Sequence, residues 1–369
     1  MSAVSLPEDI PVVPEPAQEY LNQRQYQDYQ EHREDFLEWL FVFGKSPNQA
    51  EGYSIAVVKN TAYRTDQFAR WVWQQDGYTT SFTHSHANSY IRYLASEDSS
   101  NSHKDKCVKA VKRLFKWKHS EKGGDRWESQ ITFYEDQSNQ PQDYLTEQER
   151  KQTREAALEY GTIPAYNTVT PEERSQWKAY LAQRFGKPKS EITLEDWERA
   201  NGWKIPSLVW VSLDTGLRPI EVERATLQWV DLENGVLRIP KEESSKNRDN
   251  WIVGLREQTT KALARWLNER ENYPYYSDSE NIWLTREGNP YNSHSLSYLL
   301  ERLCEIAGID TEHRQMSWYS IRHSVGTYMT REDGLAATRD QLRHKSKKTT
   351  MRYDQTPVED RKDALERMG

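Results

Sequence analysis

The sequence predicts a mainly α-helical protein with one small antiparallel β-sheet, divided into an N-terminal helical domain and a larger C-terminal domain. Three observations carry this prediction. Apolar residues recur at helical spacing through successive stretches between residues 18 and 120. The run Glu121-Lys-Gly-Gly-Asp125, followed by Gln, Asn, Asp and Pro as far as Gln142, has the composition of a linker. Asn234-Gly235, set between two short alternating runs, is the strongest short-range signal for a β-hairpin.

At 369 residues the chain is long enough for two domains, each with its own core. A hydrophobic content of 36% beside 29% charged residues reads as a soluble, globular chain with a very polar surface. Cys107 and Cys304 are far apart, which argues against a disulfide framework and against a cysteine-based metal site. No apolar run approaches membrane-spanning length, and Met1–Glu8 has no basic-then-apolar signal, so the expected compartment is the cytoplasm.

Residues 1–17 are Pro-rich and acidic and read as a flexible tail. Residues 18–120 form the helical domain. A first helix over 18–43 buries Phe36, Leu37, Trp39, Leu40 and Phe43 and stops at Gly44. A second begins near Lys59–Thr61 and runs through Phe68, Trp71 and Val72 to the Asp76-Gly77 break. A third opens at the capping residue Thr83, with Ala87, Tyr90, Ile91 and Leu94 inside. The fourth, about Ser102 to His119, turns Cys107, Val108, Val111, Leu114 and Phe115 inward and its lysines outward. Lys104–Lys118 holds six Lys and one Arg against a single Asp. Lys106, Lys109, Lys112, Arg113 and Lys116 are therefore candidate contacts to a phosphate backbone, against the plainer reading of a solvated charged face. His84, His86 and His119 lack metal-ligand spacing and read as surface residues.

After the linker, 121–142, the C-terminal domain runs over 143–369. Thr146 and Glu149 form a capping box that starts its first helix. Residues 161–202 are polar and helix-rich, show no chemistry, and read as an insertion. Ile205–Val211 is an apolar helix leading to Arg218. The runs Trp229–Leu232, Val236–Ile239 and Trp251–Leu255 make a three-stranded antiparallel sheet, with Lys246 at the tip of its second turn and Lys241 as runner-up. Residues 258–304 supply core helices. A helix from Tyr319 carries Ser324, Val325, Tyr328 and Met329 on its packed face, breaks at Asp333-Gly334, and resumes toward His344. Pro357–Met368 is a short amphipathic tail, too small to be stable alone.

The chemistry-bearing residues gather near these elements. Gly216 permits a tight turn just before Arg218, and Glu221 follows one helical turn on. Arg322 and His323 adjoin, and His344 precedes Tyr353 by nine residues across a basic turn containing Lys345, Lys347 and Lys348. Many cations with one hydroxyl nucleophile and no carboxylate cluster suit chemistry on a phosphodiester, where negative charge is stabilised without a metal.

Thr-Gly-Leu-Arg218-Pro-Ile-Glu221, the Tyr319-x-x-Arg322-His323 box and the His344–Tyr353 spacing resemble the tyrosine recombinase (phage integrase) family over roughly residues 205–369. The family usually has His where this chain has Tyr319, although Tyr stands there in some archaeal virus and provirus integrases, and usually Gly where it has Arg343. The resemblance implies a helical core-binding domain followed by a tyrosine recombinase catalytic domain, with the linker letting the two close around a duplex. It implies catalytic roles for Arg218, Lys246, Tyr319, Arg322, His344 and Tyr353, support from Glu221 and His323, and DNA contacts from Lys345, Lys347 and Lys348. Tyr353 would attack DNA to give a 3′-phosphotyrosyl link, with no cofactor. The partners implied are a double-stranded attachment site, further copies of the chain as dimer to tetramer, and an accessory DNA-bending protein. A type IB topoisomerase-like enzyme, a transposase, or a non-catalytic DNA-binding protein of the same fold are the alternatives. The formal charge of −7 counts against a uniformly basic DNA binder. Local basic faces are sufficient, because screening confines phosphate attraction to about a Debye length, ~10 Å.

Overall fold

The computed structural model describes residues 6–7, 10–134, 143–161, 163–198, 200, 202–244, 249–354 and 356–368. The chain divides into two compact units, Met1–Gln140 and Pro141–Gly369.

In the N-terminal unit a short helix α1 (Glu15–Gln18) precedes α2 (Gln23–Val42), α3 (Ile55–Asp76), α4 (His84–Ser96) and α5 (Asn101–Lys122). Helix α2 begins at a capping box in which Asn22 and Gln25 each bond the other's backbone N–H, five residues later than the periodicity predicts. Helix α3 starts ahead of its expected Lys59–Thr61: Ile55 and Ala56 in its first turn are exposed, and Val58 is the first of its residues to face the core. Thr83 caps α4 as expected. Phe36, Leu40, Phe68, Val72, Tyr90, Leu94, Val111 and Leu114 meet in one core.

Two expectations need correction here. The tail is not free from residue 10 onward: Ile10 and Ala17 are buried in this core, and the Val12 carbonyl accepts a hydrogen bond from the buried Arg33 guanidinium. That guanidinium also donates to Ala62, Thr65 and Tyr29, so the segment completes the solvation of a buried cation. The basic face of α5 is not a free row either. Arg113 donates to Thr61 and lies over the Tyr53 ring, and Lys116 donates to the Gly44 and Lys45 carbonyls. Both fasten α5 to its neighbours. Lys109 and Lys112 are ion-paired with Asp105 and Glu128, and Lys106 is exposed.

The C-terminal unit contains α6 (Glu147–Tyr160), α7 (Pro171–Phe185), α8 (Leu194–Glu198), α9 (Lys204–Thr215) and α10 (Pro219–Arg224). Strands β1 (Val230–Asp231), β2 (Val236–Ile239) and β3 (Trp251–Gly254) follow, then α11 (Glu257–Arg270), α12 (Ser293–Ala307), α13 (Trp318–Gln341), α14 (Lys347–Thr350) and α15 (Val358–Met368). The sheet is antiparallel in the order β1-β2-β3, with Leu237 opposite Val230 and Val253. Its inward residues Leu237, Ile239 and Val253 join a core built on α6, α9, α11 and α12. The Thr146–Glu149 capping box forms as predicted, and Glu149 also binds Arg314 at 2.6 Å, tying α6 to the chain ahead of α13.

Residues 161–202 are integral to this core. Trp177, Leu181, Ile192 and Trp197 are buried, and Trp177 packs edge-on against Tyr273. Below them Glu269 accepts from the Trp203 N–H and the Tyr273 and Tyr180 hydroxyls, and burial pushes its carboxyl up to about 7. Among the described residues, no helix is long and apolar enough to cross a membrane.

Candidate active site

Helix α9 ends at Gly216, which adopts a left-handed conformation (φ 59°) and exposes its carbonyl. A Cβ there would lie 2.6 Å from Leu342, so the close approach requires glycine. The chain re-enters α10 with Arg218 as N-cap. Glu221, in the first turn, accepts the Arg218 backbone N–H at 2.8 Å and its guanidinium at 3.0 Å.

Glu221 is also the counter-ion of Arg343, 2.8 Å away and equally buried. Arg343 holds a positive φ of 58°, a conformation that favours glycine. Its guanidinium donates to the Thr215, Gly216 and Gln341 carbonyls as well as to Glu221, and these bonds offset the backbone strain. Burial pushes the Glu221 carboxyl up, but Arg343, Arg218 and Arg322 outweigh it and hold the group at about 2.

Arg322 comes from α13 and is 3% exposed. It donates to the Gly216 carbonyl at 2.6 Å and the Leu342 carbonyl at 2.5 Å, and its Nη2 lies 2.9 Å from His344 Nε2. Burial lowers it to about 9, with Arg218 and Arg343 adding to the effect, so it stays charged at neutral pH. A guanidinium only donates, so His344 Nε2 accepts, and Nδ1 carries the proton toward Thr350 at 3.2 Å. The donor role expected of His344 toward a phosphate oxygen requires this pair to open or the tautomer to change.

Tyr353 ends a single turn, Met351–Tyr353, and its ring lies against α13. Tyr319, Arg322, His323 and Gly326 follow one another at helical spacing on one face of α13. Gly326 makes the slot: a Cβ there would stand 2.5 Å from the Tyr353 ring. Parallel to that ring, within 10°, is the imidazole of His344. The Tyr353 hydroxyl is 3.0 Å from His323 Nδ1. Burial raises the phenol above its usual value, with Arg322, Arg218 and Arg352 opposing the rise. His323 is lowered to about 4, mainly by burial and then by Arg322 and Arg352.

The sequence-predicted set is thus partly assembled. Arg218, Glu221, Arg322, His323, His344 and Tyr353 converge. Tyr319 stands apart, 43% exposed, with its ring stacked on His323 at 6.4 Å. Lys246 lies outside the described residues. A cleft of about 210 Å³ opens over Arg218, Arg343, His344, Ser244, Trp251 and Lys345. Lys345 faces Asp249 at 3.4 Å, and Lys347 and Lys348 are exposed on α14. Sequence reasoning missed Gly326 and the role of Arg343. A glycine one turn after Arg322 on a buried helix face was the available signal for the first.

The phage integrase family model matches residues 194–359, which include every residue of this constellation. Residues 194–359 of the C-terminal unit are therefore similar to a phage integrase family domain. A protein of Sinorhizobium fredii (strain NBRC 101917 / NGR234) named as an integrase/recombinase is 29% identical over 123 residues, covering 33% of this chain and 38% of that protein's length. The fold is similar to that of the XerH site-specific recombinase in its post-cleavage complex with a palindromic difH substrate. That likeness has a TM-score of 0.56 at 16% identity and covers 93% of this chain and 88% of that one. A pre-cleavage complex of XerH with difH matches with a TM-score of 0.54 at 15% identity, over 96% and 93%. At these identities the likeness establishes the fold.

Two outcomes follow from this geometry. In Gly326→Ala the helix gains about 1 kcal/mol of intrinsic propensity, yet the Tyr353 ring must leave its slot. The expected result is an undiminished melting temperature with faster nitration of Tyr353, read by peptide mass; unchanged nitration contradicts the slot. For Glu221, the folded carboxyl titrates below its unfolded value. Its stabilisation is therefore complete above about pH 4.5 and lost as pH falls toward about 2. Glu221→Gln is expected to cost roughly 3 kcal/mol at pH 7 and to flatten the acid limb of stability, measured by urea unfolding across pH. An acid limb as steep as the parent's counts against this.

Proposed function

We propose that the protein is a site-specific DNA recombinase that cuts and rejoins strands through a 3′-phosphotyrosyl intermediate, acting in the cytoplasm. The observation that carries this reading is the convergence of the Tyr353 hydroxyl with Arg322, His323 and His344 beside the cleft over Arg218. In it the phenolic oxygen of Tyr353 attacks the phosphorus, the phosphotyrosyl bond forms, and the 5′-oxygen leaves. Bond energy is retained in the adduct, so a 5′-hydroxyl from another strand can reverse the step. Arg218 and Arg322 neutralise the non-bridging oxygens. The role of proton donor to the 5′-oxygen stays with Lys246 as a sequence-based proposal.

Double-stranded DNA is the proposed substrate. Lys345, Lys347 and Lys348 beside the cleft, and Lys106, Lys109 and Lys112 on α5, are the proposed phosphate contacts; Arg113 and Lys116 contribute to fold instead. Assembly on DNA as dimer to tetramer is proposed from α15. Its first turn is held by its own domain through Glu359 to Tyr328 and Asp360 to Arg331, while Leu365 and Met368 are exposed. An apolar edge anchored at one end fits a second copy of the chain.

The reaction is tested with nicked duplexes of randomised centre, from which covalently captured sequences are recovered and resynthesised. Tyr353→Phe is expected to bind the selected duplex with unchanged affinity and give no adduct, and proteolysis should leave the wild-type adduct on Tyr353. Arg322→Lys should lose most of the rate, since one point charge cannot replace a planar fork and a lost oxyanion donor costs about 3–4 kcal/mol. An adduct on any other residue refutes the assignment. Removal of residues 357–369 is expected to spare single-site binding and abolish strand exchange; a truncated chain that recombines normally excludes the assembly role.

A further inference from the structure

We propose that His323, rather than the residue at position 319, accepts the Tyr353 proton as the phenolic oxygen attacks phosphorus. The inference rests on the reading of Tyr353 as nucleophile and identifies the base that reading leaves open.

His323 Nδ1 is 3.0 Å from the Tyr353 hydroxyl, within the reach a general base needs. Tyr319, which occupies the place where the resemblance expects a histidine, points its ring outward and only stacks on His323. The polarity of the hydrogen bond follows from the other neighbours. The charged groups facing the phenolic oxygen are Arg322, Arg218 and Arg352, and guanidinium groups can donate but never accept. Among the described residues, His323 Nδ1 lies within hydrogen-bond distance of the hydroxyl and can accept its proton. The charged and titratable groups around His323 are Tyr319 and Arg322 on α13 and Arg352 and Tyr353 on the facing turn. Surrounded by burial and cations, the ring is neutral at pH 7 and its Nδ1 lone pair is open to a proton.

The step balances. The bond from the phenolic oxygen to phosphorus forms, the phenolic proton moves to Nδ1, and the bond from phosphorus to the 5′-oxygen breaks, that oxygen taking a proton from water or a cationic side chain. The imidazolium formed next to Arg322 is stabilised by the phosphate charge now bonded to Tyr353. In the reverse step it returns the proton to the phenolic oxygen as a 5′-hydroxyl attacks. Helix α13 thus supplies both a phosphate ligand and the base from adjacent positions.

The test uses the full-length protein and the selected nicked duplex, with the rate of adduct formation followed between pH 7 and about 9.5. His323→Asn places an amide where Nδ1 stood, so the contact to Tyr353 is kept while proton acceptance is lost. The expected result is unchanged duplex affinity, a rate lower by about 10²-fold at pH 7, and a deficit that shrinks as pH rises and Tyr353 ionises unaided. In His323→Ala, added imidazole is expected to restore part of the rate. A rate for His323→Asn within about twofold of wild type, or a deficit constant in pH and untouched by imidazole, overturns the proposal. So does a Tyr319→Phe profile that acquires the same rise with pH, which would place the base at 319. If wild type itself forms no adduct with any duplex of the pool, the recombinase reading falls first and this inference with it; a wild-type adduct with an unaffected His323→Asn sinks only the latter.

Discussion

The site depends on one carboxylate. Glu221 touches Arg218 and Arg343, and its charge also reaches Arg322. Without a counter-ion these three guanidinium groups would repel one another, and the buried pair Arg322 and Arg343 would each lose hydration at a cost of several kcal/mol. Glu221 removes one unit of that charge, and the carbonyls of Gly216, Leu342, Thr215 and Gln341 solvate much of the rest. What is left is a site still net positive by two among these four side chains. Such a site suits a phosphodiester, which carries one negative charge in its ground state and develops more on attack. Removing Glu221 would not simply make the cleft more positive. It would make the arginines' positions untenable.

Close backbone approach is the second constraint, and it is met differently at three places. Gly216 turns left-handed so that its carbonyl can serve both Arg322 and Arg343. Gly326 is helical and is selected by what faces it, the Tyr353 ring. Arg343 occupies a left-handed position where glycine is the easier residue, and its own side chain repays the strain by reaching Glu221. The same carboxylate thus stabilises both Arg218 and the backbone kink that leads into His344.

Local signals in the sequence were read well because their causes are local. Asn234-Gly235, the Thr83 cap, the Thr146–Glu149 capping box and the Gly334 kink each act within a few residues, and each appears where the pattern places it. Long-range pairing was not legible. Nothing near Val12 announces that its carbonyl will solvate Arg33, and nothing near Arg113 or Lys116 separates a cation that fastens helices from one that meets solvent. Residues 161–202 look polar because Trp177, Leu181, Ile192 and Trp197 are spread through charged sequence; only the folded chain gathers them against Tyr273 and its neighbours. At the site, Arg218, Arg322, His344 and Tyr353 stood out through motif spacing. Arg343 registered only as a departure, since its value lies in a carboxylate 122 residues away.

The arrangement of α13 explains how a chain lacking histidine at position 319 can keep a complete set of groups around its tyrosine. Residues 319, 322, 323 and 326 share one helical face, so the separations among them are fixed by the helix itself. Moving a base from 319 to 323 along that face is a shift of about one turn, roughly 5.4 Å, and the face still points at the same ring. The glycine at 326 decides which of the two positions the Tyr353 hydroxyl lies beside. It lets the Tyr353 ring settle low on the helix, beside 323 and below the exposed 319, where the hydroxyl meets Nδ1. Were residue 326 larger, the ring would be pushed out of its slot and away from that contact. The depth of the Tyr353 ring, set by a missing side chain, therefore decides which side chain its hydroxyl meets, and the cations on either side of the phenol can donate to its oxygen but cannot take its proton.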